Sequence, residues 1–280
     1  MDGTTLVFGP GWMGHQFAER ITGAVLVETD IADAAGVAQA LDTHAPARVI
    51  NCAGRTGRPN VDSLEQEPAR TLRSNVAGPI LLAGACLDRG IHMTHLGSGC
   101  IYSGDNGGRG WREDDAPNFD GSLYARSKIQ AEVALKELDA LQLRVRLPVS
   151  AQPGPRNLLT KLLGYREVVR IANSITVLDD FWDTALALIA RGETGIWNCV
   201  NPGVEHHDEL LALYREHVDP DHAFTVISAE TLDDRLAAKR SNCLLDTSKL
   251  ADAGLSLPPL EESLPRLVRA YGANVRAAGT

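Results

Sequence analysis

The sequence predicts an α/β fold, a doubly wound parallel sheet with a smaller C-terminal lobe. Three observations carry that prediction. Short apolar runs alternate with helix-period segments through the first 150 residues, a glycine-rich turn follows the first apolar run, and the alternation breaks down afterwards. Strands that alternate with helices at this spacing imply βαβ units, whose parallel sheet is covered on both faces.

Taken in order, residues 4–9 (TTLVFG) read as a buried strand and 15–21 as the helix after it. Residues 24–29 read as a second strand, 34–45 have helical spacing, and 47–54 (ARVINCAG) form a third apolar run ending in small residues. A long helix is expected over 68–90 with Gly90 as its stop, then a strand at 91–99, a helix at 124–139 and a strand at 143–150. Beyond these, helices are expected at 157–169, 179–192, 207–218 and 261–272, with a strand and turn at 195–203. The expected division is a dinucleotide-binding domain over 1–150 and a second, mainly substrate-binding lobe over 151–280. No linker marks the boundary, so it is approximate, and later segments can return to the first domain.

Composition narrows the function. The chain has 280 residues, 44% hydrophobic and 22% charged, which is ordinary for a soluble globular protein. A formal net charge of −9 argues against broad binding to nucleic acid or an anionic membrane. The five cysteines are odd in number and form no CxxC pair, so reduced cytoplasmic thiols are expected rather than a disulfide framework or a metal site. No apolar run reaches the ~18 residues that a membrane span needs. The N-terminal stretch has no basic region followed by a long apolar run, so no signal peptide is expected.

The turn Gly9-Pro-Gly11-Trp-Met-Gly14 joins a strand to a helix. Glycines there permit a tight turn and close approach of a pyrophosphate, and the helix N-terminus adds amide donors. The reading as a cofactor site takes in Trp12 and Met13 within the turn, Asp30 and Ile31 past the second run, and Ala53 and Gly54 past the third. Glu28 and Asp30 both qualify as the acidic residue at the adenosine ribose, where a carboxylate repels a 2′-phosphate.

Tyr124 and Lys128 stand four apart on a helix and therefore share a face. A neighbouring ammonium favours a phenolate, and lowering a tyrosine pKa by about three units takes roughly 4 kcal/mol of differential interaction. The expectation is a Tyr124 hydroxyl acidified by the partly buried Lys128 ammonium together with the cofactor's positive nicotinamide. The YxxxK pair is common by accident; its weight comes from following the glycine turn, Asn75 with Val76, and a serine at a strand end, Ser98.

Together, Gly9, Gly11, Gly14, NCAG at 51–54, Asn75, Ser98, Tyr124 and Lys128 resemble the extended short-chain dehydrogenases/reductases, which implies a Rossmann-type domain with a smaller substrate-binding lobe for nucleotide sugars. A narrower resemblance rests on NCAGRTGRPNVD, SGCIY, PNFDGSLYARSK, LRVRLPVS, PRNLLTKLL, NSITVLDD and GIWNCVNPGV. These strings are similar to the UDP-4-keto-6-deoxyglucose 3,5-epimerase/4-reductases that form the C-terminal module of plant rhamnose synthases. SNCLLDTSKL at 241–250 also suits the wider dTDP-4-dehydrorhamnose reductase group. In one departure, GPGWMG is a residue shorter than the GxxGxxG turn usual in that family.

The resemblance implies a bifunctional enzyme of rhamnose biosynthesis. Its substrate would be a nucleotide-linked 4-keto-6-deoxyhexose, UDP-linked by preference, and its cofactor NADPH or NADH. Tyr124 would protonate the C4 oxygen, Ser98 would hydrogen-bond it, and Lys128 would hold the nicotinamide ribose. Cys100 and Lys161 would exchange the protons on C3 and C5, their acid and base roles open. A thiol beside a cation gains anionic character and a desolvated lysine loses its proton more readily, so the pair suits that work. Arg58, Asn75, Arg156, Asn157 and Asn173 join Ser98 and Cys100 as substrate-binding candidates. The 4-keto sugar would come from a separate 4,6-dehydratase, and a homodimer is an open option for assembly. Two alternatives stand beside this: a 4-keto reductase without epimerase activity, and a non-catalytic cofactor-binding regulator.

Overall fold

The computed structural model describes residues 3–278. β1 (Thr5–Phe8), α1 (Trp12–Arg20), β2 (Ala24–Val27), α2 (Ala34–His44) and β3 (Arg48–Asn51) begin the chain. α3 (Pro68–Leu72) passes through a π-helical turn at Arg73–Ala77 into α4 (Gly78–Leu87). β4 (His92–Ser98), α5 (Leu123–Lys136) and β5 (Leu141–Val145) follow. After them come α6 (Leu158–Leu163), β6 (Glu167–Val169), α7 (Leu178–Arg191), β7 (Gly195–Asn198) and α8 (His207–His217). The chain closes with β8 (Thr225–Ile227), α9 (Ala229–Asp233), α10 (Ser248–Asp252) and α11 (Leu260–Ala278).

Six strands form one sheet in the order β2-β1-β3-β4-β5-β7, with every pairing parallel. This is the Rossmann-type α/β architecture that the alternation predicted. The order reverses about β1, whose two neighbours are β2 and β3, and in folds of this kind ligands bind outside the carboxyl ends of the strands at such a point. Period-2 alternation sorts each strand between two cores. Val7, Ile50, Leu143 and Trp197 face α1 and α7, packing with Phe17, Phe181 and Trp182. Leu6, Phe8, Val49 and Met93 face the other layer, with Val37, Leu41, Leu82 and Leu135. α7 and β7 thus lie beyond residue 150 yet belong to the layers of the main sheet.

A third core joins α6, α8 and α11 through Leu159, Leu162, Leu211 and Val268. β6 and β8 form a two-stranded parallel sheet beside it. Two expected elements differ here. The helix expected over 157–169 ends at Leu163, and Glu167–Val169 is extended because it pairs with Thr225–Ile227. The strand expected over 143–150 runs instead from Leu141 to Val145, since Leu147 turns to a φ of 39° ahead of Pro148. Among the described residues, no helix is long and apolar enough to cross a membrane.

Candidate active site

The glycine turn is shaped by close backbone approaches. Gly9 has a φ of 95°, and a Cβ there would meet Ala53 N at 2.4 Å. A Cβ on Gly14 would lie 2.0 Å from the Gly9 carbonyl oxygen. Gly11, by contrast, has nothing within 4 Å of its Cβ position, so the turn is open on that side. Gly11 also caps α1 without a side-chain hydrogen bond. The amides of Trp12, Met13 and Gly14 then have no intrahelical acceptor, as in any first turn. An open cradle with free amides fits a dinucleotide pyrophosphate despite the shortened spacing.

Around that turn, Asp30 is exposed past β2, and its Oδ1 accepts from Ala32 N at 3.0 Å. Its Oδ2 lies 3.6 Å from Arg73 Nη2. Glu28 is exposed as well, and Ile31 is buried in the core with α2 and α4. Ala53 donates its N–H to Asn51 Oδ1. Asn75 sits in the π-helical turn and spends its amide on neighbouring chain. Its Nδ2 donates to Arg55 O at 2.9 Å and Ser127 Oγ at 3.1 Å, and its Oδ1 accepts from Arg55 N at 2.7 Å. Asn75 therefore ties the loop beyond Gly54 to α5, the helix that carries Tyr124 and Lys128.

Ser98 is the last residue of β4, and Tyr124 and Lys128 lie in the first turns of α5, whose N-cap is Ser122. The Ser98 hydroxyl accepts from Cys100 N at 3.1 Å, so its own hydrogen is available to Tyr124, with which it is hydrogen-bonded. Without a cofactor, the surroundings of Tyr124 act against the expected acidification. Burial pushes the phenol up and Cys100 adds to it, against the Ser98 hydrogen bond. Lys128 is turned elsewhere: its Nζ contacts His95 Nε2 at 3.1 Å and donates to Leu96 O at 3.0 Å. Burial pushes Lys128 itself down to about 8, opposed by Glu132, Cys100 and Cys52.

Cys100 stands in the turn after β4, not on a continuing strand. Its position follows from Arg146, a fully buried residue just past β5 whose Nη1 donates to Cys100 Sγ at 3.2 Å. Arg146 also donates to Ser241 Oγ at 3.0 Å, Ser241 O at 2.7 Å and Asn173 Oδ1. Asn173, expected at the substrate, is thus buried and orients Arg146. Sequence reasoning missed both Arg146 and His95. The legible trace of the first is Arg144 and Arg146 alternating within an apolar strand, where charges are rare unless partnered.

One cleft of about 490 Å³ gathers Tyr124, Cys100 and Lys161. Arg156, Tyr165, Phe119 and Arg240 also line it. Burial, and secondarily Arg156, push the Lys161 ammonium down. Arg156 is pushed down by burial and by Arg58, so two guanidiniums sit close enough to repel. Arg156 Nη1 holds Thr56 Oγ1 at 2.8 Å and Gly57 O at 3.0 Å. Asn157 is fully buried and its polar atoms are spent. Its Oδ1 accepts from Leu159 N at the start of α6, and its Nδ2 donates to Ser150 O and Gln152 O.

The sequence matches the family described as RmlD substrate binding domain over residues 13–272. It is 36% identical over 275 residues to the bifunctional dTDP-4-dehydrorhamnose 3,5-epimerase/dTDP-4-dehydrorhamnose reductase of Arabidopsis thaliana, covering 94% of this chain and 91% of that protein. It is 40% identical over 249 residues to the trifunctional UDP-glucose 4,6-dehydratase/UDP-4-keto-6-deoxy-D-glucose 3,5-epimerase/UDP-4-keto-L-rhamnose-reductase RHM1 of the same plant. That match covers 86% of this chain but 37% of the longer protein. Among solved structures, the L780 UDP-rhamnose synthase of Acanthamoeba polyphaga mimivirus superposes with a TM-score of 0.92 at 31% identity, over 96% of this chain and 100% of that one.

Proposed function

The chain belongs to the RmlD substrate-binding family, and on that premise we propose that it is a bifunctional nucleotide-sugar 3,5-epimerase/4-reductase. Its substrate is a 4-keto-6-deoxyglucose, UDP-linked by preference, and its product an L-rhamnose-type sugar nucleotide. The observation that carries this reading is a single cleft that brings together a phenol, a thiol and a half-buried lysine: Tyr124, Cys100 and Lys161. A reductase alone would need only the first.

The C4 ketone acidifies the hydrogens on C3 and C5. Cys100 and Lys161 divide the proton work, one removing a proton from carbon and the other returning one to the opposite face. Arg146 supports the thiol by donating to its sulfur. Lys161, pushed down by burial and by Arg156, releases or accepts a proton near neutrality more readily than a solvated lysine. Arg156, with Arg58 nearby, suits the diphosphate, because bidentate guanidiniums match phosphate oxygens.

When bound, NADPH or NADH supplies the hydride that goes to C4. Gly9, Gly11, Trp12, Met13 and Gly14 would hold its pyrophosphate, Asp30 and the backbone of Ile31 its adenosine end, and Ala53, Gly54 and Lys128 the rest. Tyr124 gives its proton to the developing C4 oxyanion, and Ser98 donates a hydrogen bond to the same oxygen. Such a donor contributes about 3–4 kcal/mol at the transition state. A phenol pushed up by burial is fully protonated at neutral pH, which is the form a general acid needs. Asn75, Asn157 and Asn173 act as positioning residues in this reading, because their amides are engaged within the chain. The 4-keto substrate is the product of a 4,6-dehydratase reaction.

The test is incubation with UDP-4-keto-6-deoxyglucose and NADPH or NADH in heavy water. The expected result is cofactor oxidation with deuterium at C3 and C5 of the product. Oxidation without deuterium would reduce the activity to that of a 4-keto reductase, and no oxidation with UDP- or dTDP-linked substrate would remove both.

A further inference from the structure

Both ring nitrogens of buried His95 face hydrogen-bond donors. Nδ1 lies 3.1 Å from Asn51 Nδ2, and Nε2 lies 3.1 Å from Lys128 Nζ. Asn51 and His95 are register partners on β3 and β4, so the backbone sets the two side chains beside each other. The Asn51 amide is oriented from its other end, because its Oδ1 accepts from Ala53 N at 3.0 Å.

A neutral imidazole has one N–H and one lone pair. With Asn51 donating, the lone pair is on Nδ1 and the proton on Nε2. That proton points at Lys128, and an ammonium has no lone pair to receive it. A neutral amine has one, and keeps hydrogens to donate to Leu96 O. These bonds therefore all close only with Lys128 neutral and His95 protonated on Nε2. If Lys128 is an ammonium, it must donate to Nε2. The ring proton then lies on Nδ1, and Asn51 must turn its oxygen toward the ring, giving up Ala53 N–H.

We propose that His95, aligned by Asn51, is a positioning residue that couples the proton occupancy of Lys128 to its own tautomer and to the Asn51–Ala53 hydrogen bond. On passing between the two states the group takes up one proton from solvent. It ends on Lys128, and His95 remains neutral with its single proton moved from Nε2 to Nδ1. Burial favours both neutral forms, pushing Lys128 down to about 8 and His95 well below the ordinary imidazole range. The other ionisable groups that act on Lys128 are Glu132, Cys100 and Cys52, and Glu132 is already paired with Arg144. Ala53 lies beside Gly9, so the switch reaches the loop against the glycine turn.

The inference uses the proposed function only for the role of Lys128, and its test reads the ring without any activity. Protein carrying ¹⁵N-histidine is titrated from about pH 6 to about pH 10 while long-range ¹H–¹⁵N correlations report the tautomer. His95→Gln identifies the ring among the eight histidines, with His95→Asn as the substitute if that variant does not fold. The expected result is an Nε2–H ring at the alkaline end and an Nδ1–H ring at the acid end. The crossover should coincide with the titration of the Lys128 ε-carbon and vanish in Lys128→Met. A single tautomer throughout, an imidazolium, or a crossover that survives Lys128→Met overturns the proposal. A protein inactive in heavy water that still gives the coupled crossover loses the proposed activity and keeps this inference.

Discussion

Arg146 reaches the sulfur of Cys100 at 3.2 Å, and its remaining bonds go to Asn173 and Ser241, neither of which carries charge. The guanidinium thus gives the sulfur a charged hydrogen-bond donor that fixes where it points. Arg146→Met is therefore expected to slow alkylation of Cys100 by iodoacetamide about tenfold at neutral pH. Peptide-resolved labelling isolates this site, because burial pushes the thiols of Cys52, Cys86, Cys199 and Cys243 up. Deuterium exchange should fall with it. Cys100→Ser should lose exchange and still reduce an already epimerised substrate. An unchanged alkylation rate in Arg146→Met would leave the arginine with a packing role alone.

Tyr124 separates the two chemistries in the opposite sense. Tyr124→Phe removes the proton donor and keeps the ring, so reduction should fall by about 10²–10⁴. Proton exchange, carried by Cys100 and Lys161, should persist. Because burial pushes the phenol up, its deprotonation should cause no loss of reductase rate between about pH 6 and 9. Stopped-flow cofactor oxidation and NMR of the recovered sugar measure the two activities on one sample.

The main sheet was legible because buried parallel strands leave short apolar runs at regular intervals, and each expected strand through residue 99 lies within two or three residues of an observed one. β6 and β8 were not, since three residues carry no period and each is extended only through the other. The site divides on similar lines. Gly9, Ser98, Tyr124 and Lys128 stand out through their spacing along the chain. Arg146 and His95 were missed because their significance is in contacts across strands, to Cys100 46 residues away and to Lys128 33 residues away. Asn75, Asn157 and Asn173 were expected at the substrate, and a sequence does not reveal that their amides already have partners in neighbouring backbone or side chains.

In the proposed reading, cofactor choice turns on Asp30. Its carboxylate is exposed past β2, at the position expected to face the adenosine ribose, with Arg73 Nη2 3.6 Å away. Two like charges ~4 Å apart in a water-like medium cost about 1 kcal/mol, so a 2′-phosphate is disfavoured while Asp30 is charged. NADH should therefore be preferred. Asp30→Asn should raise the kcat/KM ratio for NADPH over NADH about fivefold, partly because Arg73 is then free to meet the phosphate. A ratio unaltered by that change would place the discriminating group elsewhere.

Holding Lys128 in place should cost stability, in a definite pH window. Burial lowers its pKa from 10.5 to about 8, so between those values the unfolded chain binds a proton that the folded chain does not. Stability from this group therefore rises with pH across the window and is lost as pH falls through about 8. At ~1.4 kcal/mol per pH unit the full effect is about 3 kcal/mol. Lys128→Met keeps the length of the side chain and removes the titration. It is expected to be more stable than the parent at pH 7, with that advantage shrinking by about 3 kcal/mol by pH 10.5. Urea denaturation of both proteins across the range gives the difference directly, with the titration of every other group common to both. A variant whose advantage stays constant with pH would mean that the folded chain does not depress Lys128. A variant less stable at every pH would mean that the bonds of Lys128 to His95 and Leu96, made by ammonium or amine, outweigh the cost of burying it.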